Sequence, residues 1–248
     1  MPPVEILIVI LVFTFGGFVK GLLGIGLPAL LVGCLTFLYE PRLAVAMILF
    51  PILTTNIRQA LRGGKAMEIV RRFRYLIGTG MLFIFLTALV GKQVPVAWLQ
   101  ICVGIAMALF AISGLLVELP RTPERLDKVV QVIAGLGSGI LGGLTAIWGP
   151  PMAMYLMSLK LERRYFIQVL GVLFASQSIP LTFGFFLSGE LDMTTAILSA
   201  AMLAPTFAGM YVGEKVRDRI DTVLFFRLFL GVFLLLGLNL IRRGLFGG

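Results

Sequence analysis

The sequence predicts an all-α polytopic membrane protein made of two inverted repeats with about five apolar segments each. Of the 248 residues, 59% are hydrophobic and only 13% are charged, and the mean hydropathy is +1.03. A soluble domain carries about 25% charged residues, so this chain could not cover a water-facing surface. The apolar residues fall into ten runs, and the last five runs repeat features of the first five. These observations place almost the whole chain in lipid, as roughly eight to ten transmembrane segments.

The first repeat, residues 1–120, begins with two interrupted segments and continues with three longer ones. A full span takes about 20 residues, and the third to fifth runs come close to that length. The glycine-rich stretch GGFVKGLLGIGLP at 16–28 breaks the first two runs, so we interpret them as half-helices or tilted spans. The five apolar runs are 4–19, 22–38, 43–61, 75–91 and 96–117.

The second repeat, residues 121–248, follows the same order of short and long segments. The spacing GxxxGxxG occurs twice, and after a short insertion Pro28 is matched by Pro150, 122 positions later. A shared offset indicates an internal duplication. The runs are 129–141, 144–159, 165–187, 194–212 and 222–241, and the glycine pattern comprises Gly17, Gly21, Gly24, Gly135, Gly139 and Gly142.

The loop charges predict the topology. Lys and Arg are concentrated in the loops 62–74, 118–128, 160–165 and 213–221, whereas the loop SGELD at 188–192 is acidic. Cytoplasmic loops are rich in Lys and Arg, which favours placing the basic loops inside and the acidic loop outside. Each broken pair of runs then crosses twice or turns back, the second repeat is inverted, and both termini lie outside. A single crossing for each broken pair would spread the basic residues almost evenly over both sides.

The two helix breaks are predicted to form the walls of a substrate site. Irregular backbone at membrane depth is tolerated only where protein or a watery cavity surrounds it, and free helix N-termini favour anions. Inverted repeats with such breaks are typical of transporters. The alternative interpretation is close helix packing, which small residues also permit. The residues assigned to the breaks are Gly21, Gly24, Gly26, Pro28, Gly149 and Pro150, with Lys20 and Trp148 beside them.

Two polar clusters inside otherwise apolar segments complete the predicted site. They occupy matching positions of the two repeats, and they comprise Asn56, Arg58, Gln59, Ser176, Gln177 and Ser178. The guanidinium of Arg58 fits an oxyanion, although it could also extend to the membrane surface. Carboxylates are nearly absent from the spans. The segments therefore predict a path for a small anion, and proton coupling is allowed without an obvious coupling residue.

Composition excludes several other kinds of site. The chain has no histidine, which excludes histidine-ligated metal or haem and a histidine proton relay. Cys34 and Cys102 both lie in apolar runs and are expected to pack rather than to pair or to bind metal. The net charge of +9 does not indicate nucleic-acid binding, because the basic residues lie in short loops between apolar runs. We therefore expect lipids and a small anion as partners, with no cofactor.

The stretch GGFVKGLLGIGLPALLV, the element WGPPMAMYL at 148–156 and the basic loop after the third run resemble the TauE/SafE sulfite exporter family. The resemblance covers nearly the whole chain in both halves. It implies an inner-membrane carrier of small sulfur oxyanions or organosulfonates. Typical first repeats of that family carry a small residue where this chain has Lys20 and a glycine where it has Leu27.

Two other functions are compatible with parts of the sequence. An intramembrane enzyme could use Ser138 in LGSGI, with Lys20 as its base because no histidine is present. A non-transporting membrane assembly protein would tolerate alanine throughout the polar clusters. Neither alternative explains why both halves break their helices at the same place, so an exporter or permease working by alternating access is the function that the sequence favours.

Overall fold

The computed structural model describes residues 3–62, 64–115 and 122–246, and these residues form helices joined by short loops. The predicted repeat boundary at 120/121, the end of the run 96–117 and the start of the loop 118–128 lie outside the described residues. The helices before that point are α1 (Pro3–Leu23), α2 (Leu27–Leu35), α3 (Pro41–Leu61), α4 (Ala66–Arg72), α5 (Arg74–Val90) and α6 (Val96–Leu115). After it come α7 (Asp127–Thr145), α8 (Gly149–Ser158), α9 (Arg163–Leu187), α10 (Met193–Ala201), α11 (Leu203–Val216) and α12 (Thr222–Phe246).

The all-α polytopic membrane fold is confirmed. Seven helical segments of the described residues are long and apolar enough to cross a membrane, and a shorter apolar helix, Val96–Ile112, accompanies them. No strand occurs in the ranges that the structure describes. Large apolar side chains such as Leu7, Phe186 and Leu228 are exposed on the outside of the bundle, which is the arrangement that lipid requires.

Both predicted helix breaks are present, at equivalent positions. The first separates Leu23 from Leu27, and the second separates Thr145 from Gly149. Gly26 has φ +92°, a conformation that suits glycine, and the next helix starts with a proline in its first turn, where no hydrogen bond is lost. The short helices α2 and α8 have 9 and 10 residues, about 14 Å of helix against a hydrocarbon core of about 30 Å.

The short helices turn back towards the start of the helices that precede them. After α2, the Tyr39 hydroxyl donates to Glu5 Oε1 near the start of α1, at 2.5 Å. Burial and the neighbouring Glu5 carboxylate raise the pKa of Tyr39 to about 12, so the hydroxyl keeps the proton that it donates. In the other half, the hydroxyl of Tyr155 on α8 donates to Asp127 Oδ1 at the start of α7, at 2.7 Å. Each broken pair is therefore a hairpin, not a single crossing.

The glycine repeats bring helix backbones into contact. A Cβ at Gly17 would overlap the carbonyl oxygen of Thr206 on α11, and one at Gly21 would overlap that of Met210. On α7, a Cβ at Gly143 would lie 2.5 Å from the carbonyl oxygen of Ile84 on α5. Small residues let membrane helices approach this closely. For these glycines the packing interpretation therefore describes the structure, and the break itself begins only at Gly24.

Helices α3 and α9 form the centre of the bundle. They are the most enclosed of the candidate spans, with 67% and 72% of their apolar windows buried. The two helices run antiparallel, because Arg42 at the start of α3 contacts Glu190 just beyond the end of α9, whereas Gln59 near the end of α3 contacts Ile167 near the start of α9. This centre carries the polar clusters predicted from the sequence.

Candidate functional site

The centre of the candidate site is the amine of Lys20 in the last turn of α1. The side chain is only 1% exposed, and its Nζ donates to Asn56 Oδ1 on α3. Among the residues that the structure describes, no carboxylate forms an ion pair with it. A buried cation without a counter-ion carries a large desolvation cost. The arrangement therefore favours the arrival of an anion.

The partner of Lys20 has a fixed orientation. Asn56 is fully buried, and its Nδ2 donates to Ser178 Oγ on α9 at 3.0 Å. That hydroxyl in turn donates to the carbonyl oxygen of Phe174 at 2.6 Å. Because the amide nitrogen is occupied by Ser178, the amide oxygen points at the lysine. A chain of hydrogen bonds thus connects α1, α3 and α9 through three of the predicted residues.

A cavity of about 550 Å³ extends from Lys20 towards the α3–α4 loop. Four of its lining side chains are cationic and two are anionic, so its wall has a net positive charge. Gln59 and Gly24 both line this cavity, so both lie close to Lys20. The lining residues are Lys20, Gly24, Gln59, Arg62, Lys65, Glu162, Tyr165, Ile167, Gln168, Met210, Glu214 and Arg217.

Three of the charged wall residues, Arg62, Glu214 and Arg217, already have hydrogen-bond partners. Glu214 accepts from Arg62 Nη2 at 3.0 Å and from Arg58 Nη2 at 3.0 Å. Arg217 donates to the carbonyl oxygen of Gly21 at 2.6 Å, near the C-terminal end of α1, where cations are favoured. The ammonium of Lys20 can still donate two further protons, because lysine has three and Asn56 accepts one.

Two glutamines supply unpartnered polar atoms in the same cavity. Gln59 donates through Nε2 to the carbonyl oxygen of Ile167 at 3.0 Å, while its Oε1 is buried without a partner. The Nε2 of Gln168 is also buried without a partner. Buried polar atoms are normally hydrogen-bonded to protein or water. Both side chains line the cavity, although in this conformation these two atoms are themselves covered by protein.

Arg58 lies outside this cavity. Its side chain is 32% exposed, pairs with Glu214 and lies in a shallow groove with Ile57 and Leu61. A partly exposed guanidinium on an aliphatic stem is compatible with the alternative interpretation, in which Arg58 extends to the membrane surface. The structure does not bring Arg58 to Lys20.

The two helix breaks meet at a separate small cavity. Its volume is about 20 Å³, room for about one water molecule, and it lies between the α1–α2 break and the α7–α8 break. Gly26, Pro28, Trp148 and Gly149 line it, and the indole Nε1 of Trp148 is buried without a partner. Pro150 is buried in the first turn of α8. The breaks therefore face each other, but in this conformation they enclose too little space for an oxyanion.

The remaining predicted residues lie away from Lys20. Gln177 is fully buried against Gly80 of α5, and both of its amide atoms lack partners. Ser176 donates to the carbonyl oxygen of Leu173 in its own helix at 2.8 Å, a local bond common for serine in membrane helices. Ser138, the candidate nucleophile of the enzyme hypothesis, is buried, and its hydroxyl has no partner among the described residues. Lys20, the base that this hypothesis requires, donates to Asn56 instead.

The cavity wall contains polar residues that were not predicted from the sequence, among them Arg62, Lys65, Gln168, Glu214 and Arg217. Four of them are charged residues at helix ends, where charge also reports membrane topology. Gln168 gave a clearer signal, because an amide inside the apolar run 165–187 needs a polar partner. Glu214 lies in the last turn of α11, so a carboxylate occurs closer to the site than the sequence indicated.

One comparison with known proteins finds a match. A family model described as Sulfite exporter TauE/SafE matches residues 9–240, which is nearly the whole chain. No curated protein matches the chain, and no solved structure does.

Proposed function

The chain belongs to the sulfite exporter TauE/SafE family, a family of membrane transporters for small anions, and from this premise we propose that it moves sulfite or an organosulfonate by alternating access. The observation that carries the proposal is Lys20, a buried cation without an ion-pair partner at the end of a positively charged cavity. The family assignment also makes the protein a transporter rather than an enzyme.

The cavity offers an oxyanion a graded path. Exposed Arg62 and Lys65 stand at the mouth, where they attract an anion from solution. Farther in, Lys20 supplies a compact charge with two free protons, and Gln168 supplies an amide donor. An anion that reaches Lys20 replaces its lost hydration and supplies the missing counter-charge. A cation in the same place would meet uncompensated repulsion.

We propose that the two halves are inverted repeats around an axis between Asn56 and Ser178. These residues lie 122 positions apart, the offset that relates the repeats, and they hydrogen-bond to each other. Two further features support the relation. The equivalent helices α3 and α9 run antiparallel, and α1 packs on α11 as its counterpart α7 packs on α5. Two residues at equivalent positions of the repeats can contact each other only where the symmetry axis passes between them. The hydrogen bond between Asn56 and Ser178 therefore supports an axis at this place.

The cavity opens at the end of the bundle that carries the basic loop 62–74. By the positive-inside rule that end is cytoplasmic, so we propose that the structure is an inward-facing state in the inner membrane with both chain ends outside. Alternating access then consists of rocking one repeat against the other until Lys20 faces the opposite side. Glu162 and Glu214 are the carboxylates of the cavity wall and are the residues to test for proton coupling.

Sulfite flux into proteoliposomes tests the proposed function. We expect saturable flux for the natural sequence and a loss of about tenfold or more for Lys20→Gln, because the substitution removes the buried charge. The matched control is Arg227→Gln, which removes an exposed cation from α12 outside the cavity and should leave the flux within about twofold. Equal flux for Lys20→Gln and the natural sequence would show that the anion does not use this cavity.

A further inference from the structure

The geometry at the opposite end of the bundle points to a second anion site: we propose that Arg42 binds the transported oxyanion in the outward-facing state and that the Glu190 carboxylate occupies its place here. Arg42 Nε donates to Glu190 Oε1 at 2.6 Å, and its Nη2 donates to Glu190 Oε2. The two side chains are 10% and 12% exposed. This two-pronged geometry is the one that a guanidinium also offers to a free oxyanion. The inference rests on the proposed transport function.

Neutral groups hold the rest of the guanidinium in place. Nη2 donates to the carbonyl oxygen of Ala88 at 2.8 Å, and Nη1 donates to that of Gly143 at 3.3 Å. These carbonyls belong to the last turns of α5 and α7, where cations are favoured. The ring of Phe185 lies 4.0 Å from the guanidinium carbon. Arg42 would therefore keep its position without Glu190, but its full charge would lack a counter-ion.

We refer to the cavity that contains Lys20 as the inner cavity. By the proposed repeat relation, Arg42 lies at the outer counterpart of that cavity. Ala88 lies 122 positions before Met210, which lines the inner cavity. Lys92, whose Nζ donates to the carbonyl oxygen of Ser188 at 3.5 Å, is likewise the counterpart of Glu214. Lys92 thus places a cation where the inner cavity has a carboxylate, and Glu190 is the carboxylate that lies on Arg42. In alternating access, a transporter is open to one side while it is closed to the other. Here the inner cavity is open, and Glu190 fills the space in front of Arg42.

The position of Glu190 in the chain allows it to leave Arg42. It lies in the short loop between α9 and α10 and not inside a helix. Gly189 before it has φ +73° and no atom near its Cβ position. Apart from Arg42, its carboxylate accepts only the hydroxyl of Ser188 at 2.9 Å among the contacts that the structure describes. The Glu190 side chain can therefore swing away while its backbone N–H still donates to the carbonyl oxygen of Phe185 at 3.1 Å. An incoming anion can take over the two donors that the carboxylate releases.

Anion rescue of a truncated variant tests the site without requiring transport. Glu190→Ala removes the carboxylate and leaves Arg42 with a space in front of it, so the variant should melt at a lower temperature than the natural protein. We expect sulfite, compared with chloride at equal ionic strength, to raise its melting temperature by about 3 °C or more beyond the shift of the natural protein. The double variant Arg42→Gln/Glu190→Ala is the matched control and should show no such extra shift. Equal shifts in the single and double variants would overturn the proposal.

Flux from the outer side distinguishes two roles of Arg42: binding the anion, or only holding the helix ends together through its ion pair with Glu190. In right-side-out vesicles, Glu190→Gln should lower the half-saturating external sulfite concentration by about threefold or more, because it removes the internal competitor. Arg42→Gln should raise that concentration by about tenfold. Arg72→Gln, which breaks the ion pair with Asp127 at the other end of the bundle, should leave it unchanged. If the ion pair were only structural, Glu190→Gln and Arg42→Gln would both weaken it. A change of the half-saturating concentration in the same direction for both variants would therefore overturn the inference.

The two experiments also separate this inference from the proposed function. If the natural protein carries no sulfite but Glu190→Ala is rescued by sulfite, the Arg42 site stands and the transport proposal fails for this anion. If sulfite is carried but the rescue is absent, the transport proposal stands and the Arg42 site is wrong.

Discussion

Asn56 decides what Lys20 can bind. Its amide oxygen accepts from the lysine and its amide nitrogen donates to Ser178, so it holds the cation in place without neutralising it. A carboxylate at the same position would hold the cation equally well and cancel its charge. The choice of an amide over an acid therefore keeps the site selective for anions.

Asn56→Asp should separate stability from transport. The new carboxylate pairs with buried Lys20, so we expect the melting temperature of the purified protein to stay the same or rise. We expect sulfite flux to fall by about tenfold or more, because the site then has its own counter-charge. Asn56→Ser, which keeps a neutral acceptor, serves as the control and should retain more flux than the acid. Undiminished flux in Asn56→Asp would mean that the charge of Lys20 is not used.

The structure brings together the predicted residues Lys20, Asn56 and Ser178, which lie inside apolar segments. Lys20 donates to Asn56, and Asn56 donates to Ser178, so these three residues meet in one chain of hydrogen bonds. Arg58 lies apart from Lys20 in this structure, and its sequence position could not show this, because an arginine near a helix end can reach either a cavity or the membrane surface. Only the position of Glu214 on α11 decides between these two, and no local pattern encodes it.

At the scale of the helices, glycine spacing sets how closely α1 and α11 approach. The backbone of α11 occupies the space that side chains on α1 would need at Gly17 and Gly21. Glycine and proline act through local backbone chemistry, so the sequence could predict where the helices break. It could not distinguish packing glycines from those of the break, because that difference depends on which helix lies opposite.

Gly17→Ala should destabilise the protein by about 2 kcal/mol, because its Cβ would overlap the rigid carbonyl of Thr206. The matched control is Gly78→Ala in the middle of α5, where no atom lies within 4 Å of the added Cβ. Alanine there should be neutral or slightly stabilising, since it favours helix over glycine. Melting in detergent measures both variants. Equal melting temperatures would show that α1 and α11 can separate without cost.

At the scale of the whole molecule, the arrangement of charge follows the cavity. The chain carries a net charge of +9, and its basic loops predict the topology. Two of these loop residues, Arg62 and Lys65, also line the cavity that contains Lys20. The sequence alone could not show this placement, because the distance from a loop residue to the cavity depends on how α1, α3, α9 and α11 come together.

Raising the salt concentration should therefore weaken the entry of sulfite from the cytoplasmic end. Exposed charges are screened beyond about 8 Å at physiological ionic strength, so the half-saturating concentration in inside-out vesicles should rise severalfold between about 0.05 and 0.5 M KCl. Lys65→Gln should show a weaker dependence on salt. Lys128→Gln removes an exposed lysine that does not line the cavity, and it should retain the full dependence. If both variants responded alike, the mouth would not steer the anion.

The contact between Asn56 and Ser178 has a consequence for the ancestry of the chain. On the proposed repeat relation, Lys20 is the counterpart of Ser138, so one half carries a cation where the other carries a neutral hydroxyl. In an ancestral dimer of identical subunits, a lysine at this position would have occurred twice, and two buried cations would have lacked counter-ions in the absence of substrate. Fusion of the two halves into one chain would have removed that constraint, since each half could then mutate alone. The joined chain can therefore carry one cation near its axis, and one substrate anion at a time neutralises its charge.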